Sequence, residues 1–325
     1  MHIHATRRMS AVLRLLALPM TCLGTLANAQ IAPYPIKPIR IYAPTPGASG
    51  DYSARLIAPG LTAALGQQVI VDNRGGYGAI DALIKSAPDG HSLLIYGTTL
   101  WIVPLMERAA WDPQRDLAPV ILLNHSPSTV VVHPSLPVRE LKSLVNLAKA
   151  RPGELNYGSA PAGSSQHLAA ELFNAMARVR ISGVPYKSSG MAQIGLMSGE
   201  VQVMFPPAGS VVPHVRSGRV RLLAVSSLKP SPFFPGMPTA HESGVPGYEV
   251  TTVVALFAPA ATPSGIVQKL NQETAAILSR AEIRQRFFSE SMDAGGGAPS
   301  VLANTIQNET ARFGKLIQDM GLRNR

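Results

Sequence analysis

The 325-residue sequence has one cysteine, Cys22, few aromatic side chains and few charged residues. A single cysteine cannot form a disulfide within the chain, so stability must come from the burial of apolar side chains. Aromatic residues make up 6% of the chain and charged residues 15%, with a net charge of +10. No run of five like charges and no basic stripe occurs, so we expect no nucleic-acid partner.

The motifs of several enzyme and metal-binding classes are also missing. The sequence has no G-x-S-x-G elbow, no G-x-x-x-x-G-K-S/T loop, no G-x-G-x-x-G fingerprint and no H-E-x-x-H or Cys/His cluster. We therefore expect no catalytic residues, no metal and no cofactor. The alternative is an exported serine hydrolase, with Ser159 or Ser164 as the nucleophile and His167 as its base.

Residues 1–29 have the pattern of a secretory signal peptide. Three arginines between positions 7 and 14 precede an apolar run over residues 15–26, and Ala27-Asn28-Ala29 supplies the small residues of a cleavage site. The apolar run is too short for a permanent membrane span, although an N-terminal anchor is the alternative. The residues before Cys22 are not those of a lipoprotein cleavage box. We expect cleavage after Ala29 and a periplasmic protein without a lipid anchor.

Short β-rich runs alternate with helical patterns after this leader, which favours an α/β fold with largely parallel sheets. A first strand is predicted over residues 39–43, and strands over 118–123 and 129–133 are separated by a turn. The last quarter is predicted to be helical over 264–278, 281–289 and 300–320.

The order of these elements predicts two lobes. The chain crosses from the first lobe to the second near residues 126–134 and returns near residues 248–256. We therefore predict that domain 1 comprises residues 30–128 and 252–325 and that domain 2 comprises residues 129–251. Two crossings between α/β lobes form a hinge, and hinged lobes enclose a cleft.

Three loops rich in glycine, serine and threonine each connect a predicted strand to a predicted helix, at residues 44–51, 97–99 and 158–167. Ligands of open α/β sheets bind beyond the carboxyl ends of strands, where helix N-termini attract anions. Each loop alone is more typical of an ordinary helix cap than of a binding site, and Asp51 is expected to cap its helix. Together the loops predict a site formed by Gly47, Ser49, Thr98, Thr99, Ser159 and Ser164.

Eight segments in this order resemble the periplasmic solute-binding receptors of tripartite tricarboxylate transporters, called Bug receptors. The segments are residues 34–40, 64–74, 87–94, 152–159, 165–173, 184–187, 218–225 and 238–248. The third begins Ala87-Pro88-Asp89-Gly90, and the fourth begins Pro152-Gly153-Glu154-Leu155. No segment is diagnostic alone, but the ordered set is specific and spans nearly all of the chain after the leader.

The resemblance implies a two-lobed Venus-flytrap fold that encloses a small organic acid and delivers it to an inner-membrane transporter permease. It also implies that backbone N–H groups, hydroxyls and waters from the three loops hold the carboxylate, often without an arginine or lysine. We expect a monomer. The alternative role is to present the ligand-bound state to a sensor for signalling.

Three departures from the family pattern bear on the ligand. The first loop, residues 45–51, is one residue shorter than usual and lacks two adjacent glycines. Pro206-Pro207 stands where an aspartate is usual, and Trp101-Ile102 follows the second loop where small or polar residues are common. These changes predict a less polar cleft.

We therefore expect a ligand with an apolar or aromatic body and one carboxylate, rather than a tricarboxylate. The measurement is a comparison of binding affinities for citrate and for a set of monocarboxylates. Citrate binding more tightly than every monocarboxylate would contradict this expectation.

Overall fold

Two β-sheets flanked by helices organise the chain. The computed structural model describes residues 34–160 and 164–319. The predicted signal peptide and its cleavage site after Ala29 lie outside the described residues. The described residues from Pro35 onward form one compact unit.

The described residues form eleven strands, most of them at apolar runs of the sequence. They are β1 (Ile39–Ala43), β2 (Val69–Asn73), β3 (Ser92–Gly97), β4 (Leu117–Pro127), β5 (Thr129–Val132), β6 (Asn156–Ser159), β7 (Ser182–Pro185), β8 (Val203–Met204), β9 (Arg221–Val225), β10 (Thr251–Pro259) and β11 (Asp293–Gly296).

Helices follow most of the strands. They are α1 (Ser49–Leu65), α2 (Gly78–Ile84), α3 (Thr99–Met106), α4 (Pro113–Asp116), α5 (Leu141–Ala150), α6 (Ser165–Ala177), α7 (Ser189–Ser198), α8 (Ala208–Arg216), α9 (Ser264–Leu278), α10 (Ala281–Ser289) and α11 (Pro299–Asp319). Among the described residues, none of these helices is both long and apolar enough to cross a bilayer.

The first sheet has the strand order β11-β4-β10-β3-β1-β2 and the second has the order β7-β6-β8-β5-β9. Parallel pairs join β1 to β2 and β3, and β6 to β7 and β8. The other pairs are antiparallel. The expectation of largely parallel sheets is therefore only partly met. The strands next to the links between the sheets, β4, β5, β9 and β10, pair antiparallel with their neighbours. The two-sheet α/β architecture itself is as predicted.

The chain passes between the sheets at two adjacent places. Ser128 is the single residue between β4 of the first sheet and β5 of the second. Its carbonyl accepts a hydrogen bond of 2.9 Å from the N–H of Ser226, just after β9, and the N–H of Val250, before β10, donates to the Ser226 carbonyl at 3.2 Å. Strands of the first sheet come from residues 39–127 and 251–296, and those of the second come from residues 129–225. The predicted domain boundaries remain a prediction.

Helix α11 packs one face against the first sheet. Its buried residues recur at helical spacing and are Leu302, Ile306, Glu309, Phe313 and Ile317. Glu309 stands in this apolar row because Trp101 Nε1 donates a 2.8 Å hydrogen bond to Glu309 Oε2. Trp101 is fully buried in the hydrophobic core, so this departure from the family pattern adds no apolar surface to a cleft.

Burial raises the pKa of Glu309 to about 7, although Trp101 and Arg312 favour the charged form. A raised folded-state pKa means that the folded protein binds more protons than the unfolded chain between pH 4.5 and about 7. Stability contributed by this group is therefore present at low pH and is lost as the pH rises through that window.

We predict that the wild-type protein loses about 3 kcal/mol of stability from this group between pH 4.5 and pH 8, and that Glu309→Gln removes most of the loss. The measurement is the thermal unfolding midpoint across this pH range. Glu282→Gln, at an exposed position of α10, is the matched control and should keep the wild-type profile. A Glu309→Gln profile parallel to wild type would refute the prediction.

Candidate functional site

A cavity of about 350 Å³ lies between the parts of the chain that carry the two sheets. This volume is within the range of small-molecule sites. Its lining comes from helix N-termini, from the linking strands and from the segment after α10, and comprises Gly47, Ala48, Ser49, Tyr52, Asn124, Ser126, Ser189, Pro207, Gly209, Ser210, Thr252, Glu290 and Met292.

A larger cavity, of about 700 Å³, is a weaker candidate. Its lining comes only from the second-sheet part of the chain, for example Lys142 of α5 and Leu223 of β9. It includes no residue of the three glycine-rich and hydroxyl-rich loops. The smaller cavity draws on both parts of the chain, so it is the candidate site.

The loop before α1 presents the N-terminus of that helix to the cavity. Ala48 is the N-cap residue and offers no side-chain acceptor to the first N–H groups of the helix. Gly47 adopts a left-handed backbone conformation with φ of 83°, and its N–H donates to Asp51 Oδ2 at 3.0 Å. Asp51 thus closes the loop rather than capping the helix.

Asp51 is held as a carboxylate. Burial acts to raise its pKa, but the hydrogen bonds from Gly47 and Asn73 and the charge of Arg55 keep the pKa below its usual value. Arg55 Nε and Asn73 Nδ2 both donate to Asp51 Oδ1 at 2.8 Å. These contacts of Asp51 hold the loop in place, while Gly47 and Ser49 of the same loop line the cavity.

Two further helices begin at the same cavity. Ser189 is the first residue of α7, and Gly209 and Ser210 belong to the first turn of α8. Pro207 is the N-cap of α8 and, like Ala48, gives it no side-chain cap. Each helix N-terminus carries a partial positive charge, so three of them at one cavity favour an anion.

Side chains from β4 and β10 form another part of the lining. The antiparallel register pairs Thr252 with Ser126, and Asn124 is two residues before Ser126. These three side chains therefore project from the same face of the sheet. Glu290 is the acidic residue of the lining, and none of the described lining residues is a lysine or an arginine.

The structure places only some of the predicted site residues at this cavity. Gly47 and Ser49 line it, whereas Thr98, Thr99, Ser159 and Ser164 are not in its lining. Thr98 is buried and its Oγ1 accepts a 2.9 Å hydrogen bond from the N–H of Val253, which joins β3 to β10. The assignment of the six residues to ligand binding stays a prediction.

The described residues of the loop at 158–167 reach the cavity indirectly, through Gln166. Ser159 of this loop is buried at the end of β6. Thr99, a predicted site residue from the loop at 97–99, is the first residue of α3. Gln166 Oε1 accepts a hydrogen bond from the N–H of Ala160, and Gln166 Nε2 donates to Ser189 Oγ. The lining residue Ser189 is thus oriented by this loop.

Ser164 has the contacts of a helix cap. Its Oγ accepts from the backbone N–H of His167 and donates to the Ala160 carbonyl, each at 3.3 Å. Burial lowers the pKa of His167, while Glu171 opposes that shift. These contacts are those of the N-terminus of α6 and favour a structural role for Ser164 over that of a nucleophile.

Sequence reasoning missed Asn124, Ser126, Ser189, Ser210 and Thr252. A signal existed for Ser189, because Ser188-Ser189-Gly190 follows β7 as the other polar loops follow their strands. Asn124 and Thr252 are polar residues within or beside apolar runs, which also marks them.

The two parts of the chain approach closely at a glycine. A Cβ added at Gly209 of α8 would lie 2.2 Å from the carbonyl oxygen of Glu290, which follows α10. Nearby, Phe233 and Phe288 come from the two parts of the chain, and their ring centroids are 5.1 Å apart. Gly209 therefore permits a backbone contact that no other residue allows.

Comparisons with known proteins identify similar chains. Residues 53–322 match the family model described as a tripartite tricarboxylate transporter family receptor. A protein of Pseudomonas sp. strain P51, described as a UPF0065 protein in the tcbD-tcbE intergenic region, is 37% identical over 317 residues, with 96% of this chain and 94% of that protein covered.

Solved structures are also similar. An R. palustris protein with adipate is 34% identical, with a TM-score of 0.81 and coverage of 89% of this chain and 98% of that one. MatC from Rhodopseudomonas palustris with bound malate is 30% identical, with a TM-score of 0.78 and coverage of 87% and 100%. These matches confirm the resemblance and the two-lobed α/β fold.

We predict that Gly209→Ala destabilises the protein by about 1–3 kcal/mol, because α8 and the Glu290 carbonyl must move apart. Gly190→Ala is the matched control, since Gly190 is likewise the second residue of its helix and its added Cβ would meet only Ser188 Oγ at 4.0 Å. That variant should be neutral or up to ~1 kcal/mol more stable. Urea unfolding measures both, and equal midpoints for the two variants would contradict the prediction.

Proposed function

Because this chain belongs to the receptor family of tripartite tricarboxylate transporters, we propose that its 350 Å³ cavity binds a small organic carboxylate. The two similar structures with adipate and with malate support this class of ligand. We also propose that the protein binds its ligand without chemical turnover. The candidate nucleophile Ser164 makes the contacts of a helix cap, which agrees with this.

The convergence of three helix N-termini carries the proposal. Helices α1, α7 and α8 all begin in the lining, and α1 and α8 have no side-chain cap. Hydrogen bonds to a charged acceptor are worth about 1.5–3 kcal/mol each. Four or five of them support micromolar binding, about −8 kcal/mol, after the cost of ordering the ligand.

The absence of lysine and arginine from the described lining does not weaken this proposal. Peptide N–H groups are fixed in place by the helices, so they bind a carboxylate without the entropy loss of a long cationic side chain. Glu290 is an exposed residue of the lining. Its carboxylate repels a negative charge of the ligand, so binding depends on where in the cavity that charge lies. An anion is favoured at the helix N-termini and disfavoured beside this carboxylate.

We also propose a periplasmic location after removal of residues 1–29 and delivery of the ligand to the inner-membrane permease of a tripartite transporter. The leader pattern and the family membership support both points. Presentation of the ligand-bound state to a sensor is the second candidate role. Co-purification with a candidate permease in the presence and absence of ligand separates the two.

We predict that carboxylates, but not their amides, stabilise the refolded and ligand-stripped protein. At a hundred times the dissociation constant a ligand adds about 2.7 kcal/mol, which raises the melting midpoint by several degrees. The thermal-shift panel pairs adipate with adipamide and malate with malamide, and adds monocarboxylates. Equal effects of acids and amides would contradict a site built for negative charge.

The variant Ala48→Asp tests the helix N-terminus directly. An aspartate is a good N-cap and should leave α1 intact, but its charge occupies the place of the ligand carboxylate. The uncharged Ala48→Asn variant is the matched control of the same size. Binding should fall at least 100-fold more in Ala48→Asp than in Ala48→Asn, and equal binding by both would contradict the proposed position of the carboxylate.

A further inference from the structure

Two Phe-Phe pairs stand out among the few aromatic residues of the chain. The sequence has eight phenylalanines, and half of them lie at 233–234 and 287–288. The first pair follows β9 of the second sheet, and the second pair belongs to α10, which precedes β11 of the first sheet. In each pair one ring packs within its own part of the chain and the other ring contacts the opposite part.

Phe287 is the anchored ring of the α10 pair. It is fully buried, and its ring meets Tyr52 of α1 edge to face, with the centroids 6.2 Å apart. The Tyr52 hydroxyl also donates a 3.1 Å hydrogen bond to the Arg286 carbonyl. The end of α10 is therefore fixed to the first-sheet part of the chain, and the position of Phe288 is set by these contacts.

Phe234 is the anchored ring of the other pair. It packs against the hydrophobic cluster formed by residues of α7, β5 and β9. Ser231 fixes the backbone here, because its carbonyl accepts from the N–H of Phe234 at 3.2 Å and its Oγ accepts from the N–H of Phe233 at 3.3 Å. Residues 230–235 include three prolines, whose φ angles are locked. Phe233 therefore loses little backbone freedom when its ring makes a contact.

The two remaining rings meet each other. The centroids of Phe233 and Phe288 are 5.1 Å apart at an interplanar angle of 50°, which is a favourable separation for an aromatic pair. Phe288 is 42% exposed, and neither ring belongs to the described lining of the cavity. The pair of Phe233 and Phe288, here called the clasp, thus joins the two parts of the chain outside the lining.

The clasp adjoins residues that do line the cavity. Glu290 and Met292 of the lining come shortly after Phe288 in the chain, and the Glu290 carbonyl lies against Gly209 of α8. A carboxylate held by α1 and by α7 or α8 contacts both parts of the chain. Such a ligand leaves the cavity only when contacts between the two parts are broken.

We infer that Phe233 and Phe288 are positioning residues that slow the release of the ligand by holding the two parts of the chain together beside the cavity. This inference rests on the proposed function of the cavity. The contact exists only while the two parts are close, so it stabilises that arrangement relative to one in which they are apart. Because the rings lie outside the lining, the clasp acts on every ligand of the cavity alike and contributes nothing to recognition of the carboxylate.

The test measures how fast a bound acid is released. Adipate and malate are the probes, and the signal is energy transfer between dyes attached through Lys142→Cys in α5 and Glu282→Cys in α10, both at exposed positions. The replacement Cys22→Ser removes the one native cysteine. Stopped-flow dilution of the complex gives the dissociation rate, and mixing protein with acid gives the association rate.

The variants Phe233→Ala and Phe288→Ala should each release the acid about 3–10-fold faster than the wild type, while the association rate changes less than about 2-fold. The double variant should be no faster than the single variants, because loss of either ring already removes the contact. Additive effects in the double variant would overturn the assignment to this ring pair.

Two control variants separate the clasp from a general loosening of the fold. Phe288→Tyr keeps the ring and should keep the wild-type dissociation rate. Leu228→Ala is the matched surface control, because Leu228 also follows β9 and is likewise 42% exposed, but is not part of the clasp. Equally fast release from Leu228→Ala and Phe288→Ala would overturn the inference.

Energy transfer without any acid separates the inference from the proposed function. The clasp variants should increase the ratio of separated to close molecules by the same factor of about 3–10. Unchanged release and an unchanged ratio overturn the clasp and leave the carboxylate site standing. If neither acid binds well-folded wild-type protein, the proposed function falls, whereas an increased ratio in the clasp variants still supports the contact between the two parts.

Discussion

The antiparallel pairing of β4 with β10 is the constraint on which the rest of the structure depends. It runs from Thr251 opposite Pro127 to Pro259 opposite Leu117. Both strands lead into the passages between the sheets, one through Ser128 and the other from Val250, and Ser226 hydrogen-bonds to both passages. One ladder of backbone hydrogen bonds thus sets the first sheet, holds the linking segments side by side and aligns Asn124, Ser126 and Thr252 at the cavity.

Electrostatics in the cavity come mainly from backbone groups held in place by this framework. The described lining contains no lysine or arginine, and the groups in it that favour an anion are the first turns of α1, α7 and α8. Asp51 is ionised, but its charge is balanced by Arg55 and by hydrogen bonds from Gly47 and Asn73. Donors held by helices are already in place before an anion binds, so little conformational freedom is lost on binding.

Local patterns predicted much of the fold. The strand over residues 39–43 and the helices over 264–278 and 281–289 are confirmed, because their apolar spacing and end signals agree with their tertiary surroundings. The strand β11 was not predicted, since Asp293-Ala294-Gly295-Gly296 has no β-branched or aromatic residue. It forms because its backbone pairs with the edge of β4. Strand β4 also runs beyond its predicted end, through Ser126 and Pro127, because β10 pairs with it over that length.

The sequence by itself determined the α/β class, the polar loops at strand ends and the resemblance to a receptor family, because these depend on local composition and order. It also indicated Gly47 and Ser49, which belong to the loop after β1. Only the tertiary structure decided that α7 and α8 meet α1 at one cavity, that Thr98 serves the β3–β10 contact, and that Trp101 is in the core. Those outcomes depend on sheet order and on residues more than a hundred positions apart, and no local pattern in the chain specifies such distances.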